Sequence, residues 1–171
     1  MRNDNFEDPL GGWAISETLF LYLRTILPPD KTILELGSGV GTAELVKYWN
    51  VFSIEDNEEY VGKYHDNYIH APLVKHKAIK NHDGDIWYNA RVLEKELPQI
   101  DYDLILVDGP AGGTRAGFVK YWDLFKHDVP VIFDDVNRVR DWKIMKAIAG
   151  RLRKPYTVIN TWEDKNFGVI L

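Results

Sequence analysis

Three glycines at alternate positions follow a short apolar segment of the chain. Residues 33–42 read Ile-Leu-Glu-Leu-Gly-Ser-Gly-Val-Gly-Thr, and an apolar helical pattern begins at Ala43. A strand that ends in a glycine-rich turn and continues as a helix presents backbone N–H groups that stabilise a carboxylate or a phosphate. Glycine is also needed where a Cβ would clash with a ligand or where φ is positive. The pattern predicts a ligand-binding turn, and the alternative is a tight turn without a ligand.

Acidic side chains follow other predicted strands at the point where each strand ends. Glu55, Asp108 and Asp134 stand directly after apolar segments, as Gly37 does after the first one. Ligands of parallel α/β sheets bind outside the carboxyl ends of the strands, so these residues are expected to share one site. A single aspartate at such a position is often the N-cap of the next helix. Acids repeated along one edge repel one another, and this favours a binding role.

Apolar periodicity predicts the elements that position these residues. Strands are expected over residues 33–36, 51–54, 73–79, 102–107, 129–133, 156–161 and 167–171. Helices are expected over residues 16–27, 43–49, 56–68, 89–96, 117–125 and 141–152. Strands that alternate with helices form a parallel sheet with right-handed crossovers. We therefore predict an α/β fold: a Rossmann-like three-layer sandwich around a mostly parallel seven-stranded sheet that closes with a C-terminal antiparallel hairpin.

Composition narrows the class of protein. The chain has 171 residues, of which 45% are hydrophobic and 27% are charged, as in a single globular domain over residues 1–171. It contains no cysteine, which excludes disulfides, thiolate chemistry and cysteine-based metal sites. The net charge of −5 argues against a nucleic-acid partner. No membrane span or signal peptide is visible, so a cytoplasmic location is expected.

Two nucleotide-type ligands compete for the glycine turn. The dinucleotide fingerprint Gly-x-Gly-x-x-Gly would place its third glycine at Thr42, whereas it falls at Gly41. The series Glu35-x-Gly37-x-Gly39-x-Gly41 resembles instead the first motif of class I S-adenosylmethionine-dependent methyltransferases. The predicted order of strands and the closing hairpin resemble that family over nearly the whole chain. A nicotinamide dehydrogenase is correspondingly disfavoured.

The resemblance implies a site for S-adenosylmethionine. The glycine turn, which includes Ser38, would pass beside the methionyl part of this cofactor, and Glu35 would support its amino group directly or through water. Glu55 matches the acid that binds both ribose hydroxyls in the family. A carboxylate suits this role because its two oxygens accept two hydrogen bonds in one plane. Asp56 takes that role if the second strand is one residue longer.

The family also places an acid or polar residue near the adenine, after the third strand. Asp83 and Asp85 are the candidates in this chain, and His82 lies in the same loop. Trp87 or Tyr88 would pack on the adenine or belong to the core.

The resemblance places Asp108 beside the methyl acceptor, as a base, an orienting group or a metal ligand. Catechol-type O-methyltransferases of the same class bind a divalent cation on an acid after the fourth strand and an acid–amide pair after the fifth. Asp108, Asp134 and Asp135 stand at the corresponding positions, with Asp135 in place of the amide. Oxygen ligands favour Mg²⁺ or Mn²⁺, which would lower the pKa of the acceptor hydroxyl. A site without metal is the alternative.

Basic residues near these acids allow two interpretations. Arg115 and Arg138 would face the acceptor pocket, where they would bind an anionic acceptor or neutralise the aspartates. A further set forms either the solvated face of a helix or an RNA-binding patch: Arg138, Arg140, Lys143, Lys146, Arg151, Arg153 and Lys154. Residues 1–29 would form a helical lid over the pocket.

The sequence thus predicts a methyltransferase that uses S-adenosylmethionine and acts on an oxygen of a small-molecule or carbohydrate-like acceptor, with Asp108 as the catalytic residue. One alternative is a non-catalytic protein that keeps the cofactor site for sensing. Another is an RNA-directed methyltransferase.

Overall fold

A computed structural model describes residues 15–77, 84–161 and 165–171. Its nine strands, numbered in chain order, are β1 (Thr32–Leu36), β2 (Asn50–Glu55), β3 (Tyr68–His70), β4 (Leu73–Lys75), β5 (Ile86–Tyr88), β6 (Leu104–Val107), β7 (Val131–Phe133), β8 (Thr157–Asn160) and β9 (Asn166–Ile170). Seven of them form one sheet in the order β3-β2-β1-β6-β7-β9-β8, and β4 pairs with β5 in a separate ribbon.

The sheet is parallel except at its C-terminal end. β1 pairs in parallel with β2 and β6, β2 with β3, and β6 with β7. β9 runs antiparallel to both of its neighbours, β7 and β8. The predicted α/β fold with a mostly parallel seven-stranded sheet and a closing antiparallel hairpin is therefore confirmed.

Helices cover both faces of this sheet. They are α1 (Glu17–Ile26), α2 (Thr42–Leu45), α3 (Ala90–Glu96), α4 (Gly117–Lys120) and α5 (Val139–Leu152). The sheet therefore separates two hydrophobic cores, and the residues of β6 alternate between them. Leu104 and Leu106 belong to the core that contains α1. Ile105 and Val107 belong to the core that contains α3, α4 and α5. This alternation is what a strand buried on both faces requires.

The sequence predicts a helix over residues 56–68, because Asp56 and Glu59 resemble a capping box and Val61, Tyr64 and Tyr68 form a buried stripe at helical spacing. The structure shows that this prediction is wrong. Residues 56–67 form turns, and the expected capping box is replaced by a bond in which the Glu59 N–H donates to Asn57 Oδ1 at 3.1 Å. Gly62 has a φ of +77°, a conformation that an α-helix does not contain. Tyr68, assigned to the buried stripe of that helix, begins β3 instead.

Two further boundaries differ from the prediction. The third strand of the sheet is β3, which precedes Pro72, whereas residues 73–75 pair with β5 outside the sheet. The helix expected over residues 43–49 ends at Leu45, although Leu45 and Trp49 are both buried as its apolar pattern required.

α1 packs on the sheet. Ser16 caps it by accepting the Leu19 N–H at 3.1 Å, and Leu19 and Leu23 are fully buried. Residues 1–14 lie outside the described part of the chain, so the lid over residues 1–29 stays a prediction. No helix among the described residues is long and apolar enough to cross a bilayer.

Two glycines provide a matched test of this packing. A Cβ added to Gly117 in α4 would overlap the fully buried ring of Trp87, whereas a Cβ on the exposed Gly150 in α5 would meet nothing within 4 Å. Gly117→Ala is expected to lower the free energy of unfolding by about 1–3 kcal/mol through overpacking. Gly150→Ala is expected to raise it by about 0.5–1 kcal/mol, because glycine destabilises a helix interior. Urea unfolding of both variants checks this, and equal effects would contradict the packing at Gly117.

Candidate functional site

A cleft with a volume of about 680 Å³ opens at the carboxyl ends of β1, β2, β6 and β7. Its walls are the turns that follow these strands, at residues 37–40, 55–57, 108–112 and 134–135, together with Tyr60, Arg115, Arg138 and Lys165. The structure thus brings together the glycine turn (residues 37–41) and the acids that follow the neighbouring strands. Among the predicted cofactor residues, Glu35 and Gly41 do not line the cleft.

Gly37 is required by a contact between two turns. Its φ is +83°, and a Cβ on this residue would lie 2.6 Å from the Gly109 Cα. A Cβ on Gly109 would in turn lie 2.5 Å from the Gly37 Cα. Real Cβ atoms do not approach backbone this closely, so both positions need glycine. Main-chain packing and the positive φ together account for glycine at position 37.

The N–H groups of the glycine turn are largely used within the protein. Those of Gly37, Ser38 and Gly39 donate to the Ile54 carbonyl, to Glu55 Oε2 and to Thr42 Oγ1, at 2.8, 2.8 and 2.9 Å. The expectation that this turn offers bare amide groups to an anion is wrong for these three residues. α2, which follows the turn, has only four residues and adds little dipole.

Glu35 lies beneath the turn and supports it. Its carboxylate accepts hydrogen bonds from Thr42 Oγ1 at 3.0 Å and from Ser53 Oγ at 2.6 Å. Burial raises the pKa of Glu35 to about 8, although both hydroxyl hydrogen bonds act in the opposite direction. Since Thr42 also accepts the Gly39 N–H, Glu35 is linked to the turn through Thr42.

Glu55 connects the turn to the end of β2. Its Oε2 accepts the Ser38 N–H at 2.8 Å, and its Oε1 accepts the N–H groups of Asp56 and Asn57 at 3.0 and 2.9 Å. Burial raises the pKa of Glu55, and these backbone hydrogen bonds partly offset the rise. Burial also raises the pKa of Asp56, which lines the cleft beside it.

Among the residues predicted to lie near an adenine, those that the structure describes do not line the cleft. Asp83 and His82 lie outside the described residues, and Asp85 is exposed and does not line the cleft. Trp87 and Tyr88 are fully buried and belong to the core, which answers the alternative left open for them.

Three aspartates meet at the other end of the cleft. Asp108, Asp134 and Asp135 each offer a carboxylate oxygen, and these oxygens lie within 4.8 Å of one another. Asp134 is buried, and its Oδ1 has no hydrogen-bond partner among the described residues. Burial raises the pKa of Asp108 and, more strongly, that of Asp134, where the neighbouring carboxylates add to the effect. The arrangement suits a cation that would share these oxygens.

Arg115 is the internal counter-charge of this cluster. It is only 4% exposed, and its Nη2 lies 3.5 Å from Asp108 Oδ1 and 3.8 Å from Asp135 Oδ2. Its Nη1 lies 3.7 Å from Asp141 Oδ1, and its Nε donates to the Pro110 carbonyl at 3.0 Å. Arg115 therefore neutralises the aspartates, which is one of the two interpretations drawn from the sequence.

Arg138 occupies a more open position at the cleft. Its Nη1 pairs with Asp135 Oδ2 at 2.9 Å, and its side chain remains 46% exposed. The other basic residues around α5 do not line the cleft and are exposed, apart from the half-buried Lys154.

Sequence reasoning missed several residues that organise the site. Ser53 lies opposite Glu35 in the register of β1 and β2. A serine and an acid at matching positions of two apolar segments could have indicated this hydrogen bond. Thr42 directly follows the third glycine of the turn, and this position was a weaker indication of its contact with Glu35. Nothing in the sequence indicated that Asp141 and Arg115 would meet, because α4 and the chain up to α5 separate them.

Removing Arg115 tests its role as counter-charge. Arg115→Gln leaves the buried Asp141 and the half-buried Asp108 uncompensated, and this is expected to lower the free energy of unfolding by about 3–5 kcal/mol near neutral pH. The loss is expected to shrink at about pH 5, since carboxylates without a cation have higher pKa values and become protonated. Urea unfolding at both pH values measures it. Arg138→Gln, at an exposed pair, is the matched control and is expected to cost at most about 1 kcal/mol; equal losses would contradict the assignment.

Comparison with known proteins gives information on the fold. No protein-family model matches the chain, and no curated protein matches it in sequence. Solved structures do match. An O-methyltransferase from Bacillus cereus, crystallised in complex with SAH, has a TM-score of 0.61 at 16% identity, with 95% of this chain and 84% of that chain covered.

Two other solved structures with a similar fold have different names and activities. Precorrin 8w decarboxylase from Methanobacterium thermoautotrophicum has a TM-score of 0.55 at 14% identity, covering 91% of this chain and 89% of its own. MycE methyltransferase of the mycinamycin biosynthetic pathway, in complex with Mg, SAH and mycinamycin VI, has a TM-score of 0.52 at 11% identity, covering 90% of this chain and 48% of its own. The chain therefore has the fold of class I S-adenosylmethionine-dependent methyltransferases, as the resemblance of its glycine motif predicted.

Proposed function

We propose that this protein transfers a methyl group from S-adenosylmethionine to an oxygen atom of a small, anionic or carbohydrate-like acceptor. The observation that carries the proposal is the cleft itself, in which the glycine turn and Glu55 at one end face Asp108, Asp134 and Asp135 at the other. A donor site and an acceptor site would share this space. The methyltransferase fold and the SAH complex of a similar structure support the choice of donor.

The glycine-turn end of the cleft has the groups that an adenosyl donor needs. When bound, S-adenosylmethionine supplies an electrophilic methyl group on a positively charged sulfonium. Glu55 Oε2 accepts one hydrogen bond, from Ser38, and a carboxylate oxygen can accept a second one from a ribose hydroxyl. Asp56 stands beside it, and Glu35 holds the turn from below. The negative charge of Glu55 and Asp56 favours a cationic ligand.

Titration calorimetry tests the donor site. Wild-type protein is expected to bind S-adenosylmethionine and not NAD. Glu55→Gln is expected to weaken the binding by about 1–3 kcal/mol, because hydrogen bonds to a charged acceptor are lost. Asp56→Asn, which leaves Glu55 in place, is the matched control and is expected to lose less. Equal affinity of Glu55→Gln and wild type, or binding of NAD, would show that the donor site is wrongly assigned.

Asp108 is placed to act on the acceptor. Its side chain is 25% exposed at the cleft, so a substrate can reach it. We assign it to orient the acceptor hydroxyl and to accept its proton, while the acceptor oxygen bonds to the methyl carbon and the carbon–sulfur bond breaks. Positioning of the two reactants and removal of this proton are what the protein contributes.

The aspartate cluster also fits a divalent cation. Convergent carboxylate oxygens from three aspartates are the hard ligands that Mg²⁺ or Mn²⁺ prefers, and within the described part of the chain the buried Oδ1 of Asp134 has no hydrogen-bond partner. Asp108, Asp134 and Asp135 would hold the ion, which would lower the pKa of an acceptor hydroxyl. The structure of MycE with Mg is consistent with such a site on this fold.

The positive side chains at this end favour an anionic acceptor. Arg115, Arg138 and Lys165 line the cleft beside the three aspartates. A divalent cation on these aspartates would leave the acceptor end with an excess of positive charge, which a carboxylate or phosphate on the acceptor would balance. Arg138 is partly exposed, and a guanidinium can bind such a group in a bidentate manner.

Turnover assays test the acceptor end. Release of SAH is measured with pairs of hydroxy acids and their methyl esters, and the acids are expected to react faster. Excess EDTA is expected to abolish turnover, and Mg²⁺ or Mn²⁺ to restore it. Full activity in EDTA would remove the metal from the proposal.

Two variants and one control variant complete this test. Asp108→Ala is expected to lose turnover while it still binds S-adenosylmethionine. Arg138→Gln is expected to lose the preference for acids, whereas Arg151→Gln, exposed at the far end of α5, keeps it. A wild-type protein that binds the donor but methylates no acceptor would instead be the non-catalytic sensing protein.

A further inference from the structure

A continuous chain of hydrogen bonds runs from His65 to the glycine turn. His65 Nε2 lies 2.9 Å from Ser53 Oγ, and Ser53 Oγ lies 2.6 Å from Glu35 Oε2. Glu35 accepts from Thr42 Oγ1 at 3.0 Å, and Thr42 Oγ1 accepts the Gly39 N–H at 2.9 Å. Only Gly39 among these five residues lines the cleft.

When Glu35 is ionised, the protons of His65, Ser53 and Thr42 follow from their hydrogen-bond partners. The Asn67 N–H donates to His65 Nδ1 at 3.0 Å, so the neutral ring carries its proton on Nε2 and donates it to Ser53. The Ser53 hydroxyl therefore directs its own proton to Glu35. Thr42 accepts from Gly39 and likewise donates to Glu35. Both hydroxyls accept once and donate once, and Glu35 only accepts while it is ionised. Burial raises the pKa of Glu35 to about 8, so a proton bound to this carboxyl near neutral pH has Ser53 and Thr42 as its acceptors.

A second link joins the same segment to the turn. Tyr68 Oη lies 2.9 Å from Ser38 Oγ, and the Tyr68 ring stacks on His65 with centroids 4.3 Å apart. Ser38 and Gly39 are thus both held from the side of β3, one through Tyr68 and one through the His65 chain.

We infer that Ser53 and His65 are positioning residues for the donor, which act through Glu35 and Thr42 to fix the N–H of Gly39 and the course of the glycine turn. The inference rests on the proposed function, because it assumes that the donor binds at this turn. Neither residue touches the cleft, so each would act on donor affinity without a contact of its own.

The charge of His65 gives the inference a signature that a purely structural role lacks. Protonated His65 keeps its Nε2 donor but carries a proton on Nδ1 as well, which repels the Asn67 N–H and is expected to shift the ring that donates to Ser53. The ionisable groups that face His65 are Asp66 on its own segment, Tyr68 of β3 and, through Ser53, Glu35 of β1. Glu35 itself is influenced by Glu55 and Asp108. Burial lowers the pKa of His65, so the ring stays neutral at neutral pH.

The test measures SAH affinity by calorimetry from about pH 5 to about pH 8, the range in which histidine titrates. Ser53→Ala is expected to weaken SAH binding about tenfold at neutral pH, the effect of one lost hydrogen bond to a charged group. Wild-type affinity is expected to fall toward pH 5. His65→Gln, whose amide can still donate to Ser53, is expected to keep the affinity at neutral pH and to show a smaller fall, because only protonation of Glu55, whose pKa burial raises, still weakens binding. His127→Gln, at an exposed histidine away from the cleft, is the control and is expected to behave as wild type.

Amide hydrogen exchange in the absence of any ligand separates this inference from the proposed function. Exchange at Gly39 is expected to be faster in Ser53→Ala than in wild type, with the core strands unchanged. Unchanged exchange at Gly39 overturns the positioning role, even if the donor binds. Wild-type affinity in Ser53→Ala, or the same pH dependence in His65→Gln as in wild type, overturns it as well. Failure of wild-type protein to bind SAH refutes the proposed function and, with it, the role of these residues toward a donor.

Discussion

The close approach of Gly37 to Gly109 sets the geometry of the whole cleft. β1 and β6 are neighbours in the sheet, but the chain leaves β1 toward β2 and leaves β6 toward β7, in opposite directions across the sheet. A crevice opens where the strand order reverses in this way. Because main chain meets main chain at the two glycines, the turns after both strands lie against each other at the floor of this crevice. Glu55 then stands on one side and Asp108 on the other.

Charge is the second constraint on the site. Acids follow β2, β6 and β7, and without compensation they would repel one another in a partly buried cleft. The negative charges are stabilised by different groups at the two ends of the cleft. Backbone N–H groups stabilise Glu55, whereas the buried guanidinium of Arg115 stabilises Asp108, Asp135 and Asp141. One end of the cleft is therefore organised by the main chain and the other by an ion-pair network.

Much of the fold could be predicted from the sequence, because buried strands carry apolar runs that few other structures need. The mostly parallel sheet with its closing antiparallel hairpin, and the meeting of the glycine turn with Glu55, Asp108 and Asp134 at one edge, followed from these runs. The prediction for residues 56–68 was wrong because Val61, Tyr64 and Tyr68 have helical spacing in the sequence. In the structure Gly62 has a positive φ, which a helix does not allow. Local periodicity was overridden there by a short connection between two parallel strands.

The partners within the site were harder to foresee. Glu35 looked like a ligand contact in the sequence, but its position in the strand points it under the turn, toward Thr42 and Ser53. Such contacts depend on register and on loop paths, which a linear pattern does not contain. Arg115 likewise gave no sign that it would be buried, because arginine is mostly exposed unless it is paired.

Asp135 has a φ of +60°, in the left-handed region that aspartate, asparagine and glycine adopt more readily than other residues. Asparagine differs from aspartate only in having an amide nitrogen in place of one carboxylate oxygen, and both residues adopt this backbone conformation. The formal charge at this position can thus be altered by one unit without remodelling the loop. A lineage of such proteins has, at residue 135, a simple means of adjusting how strongly the pocket attracts positive ions.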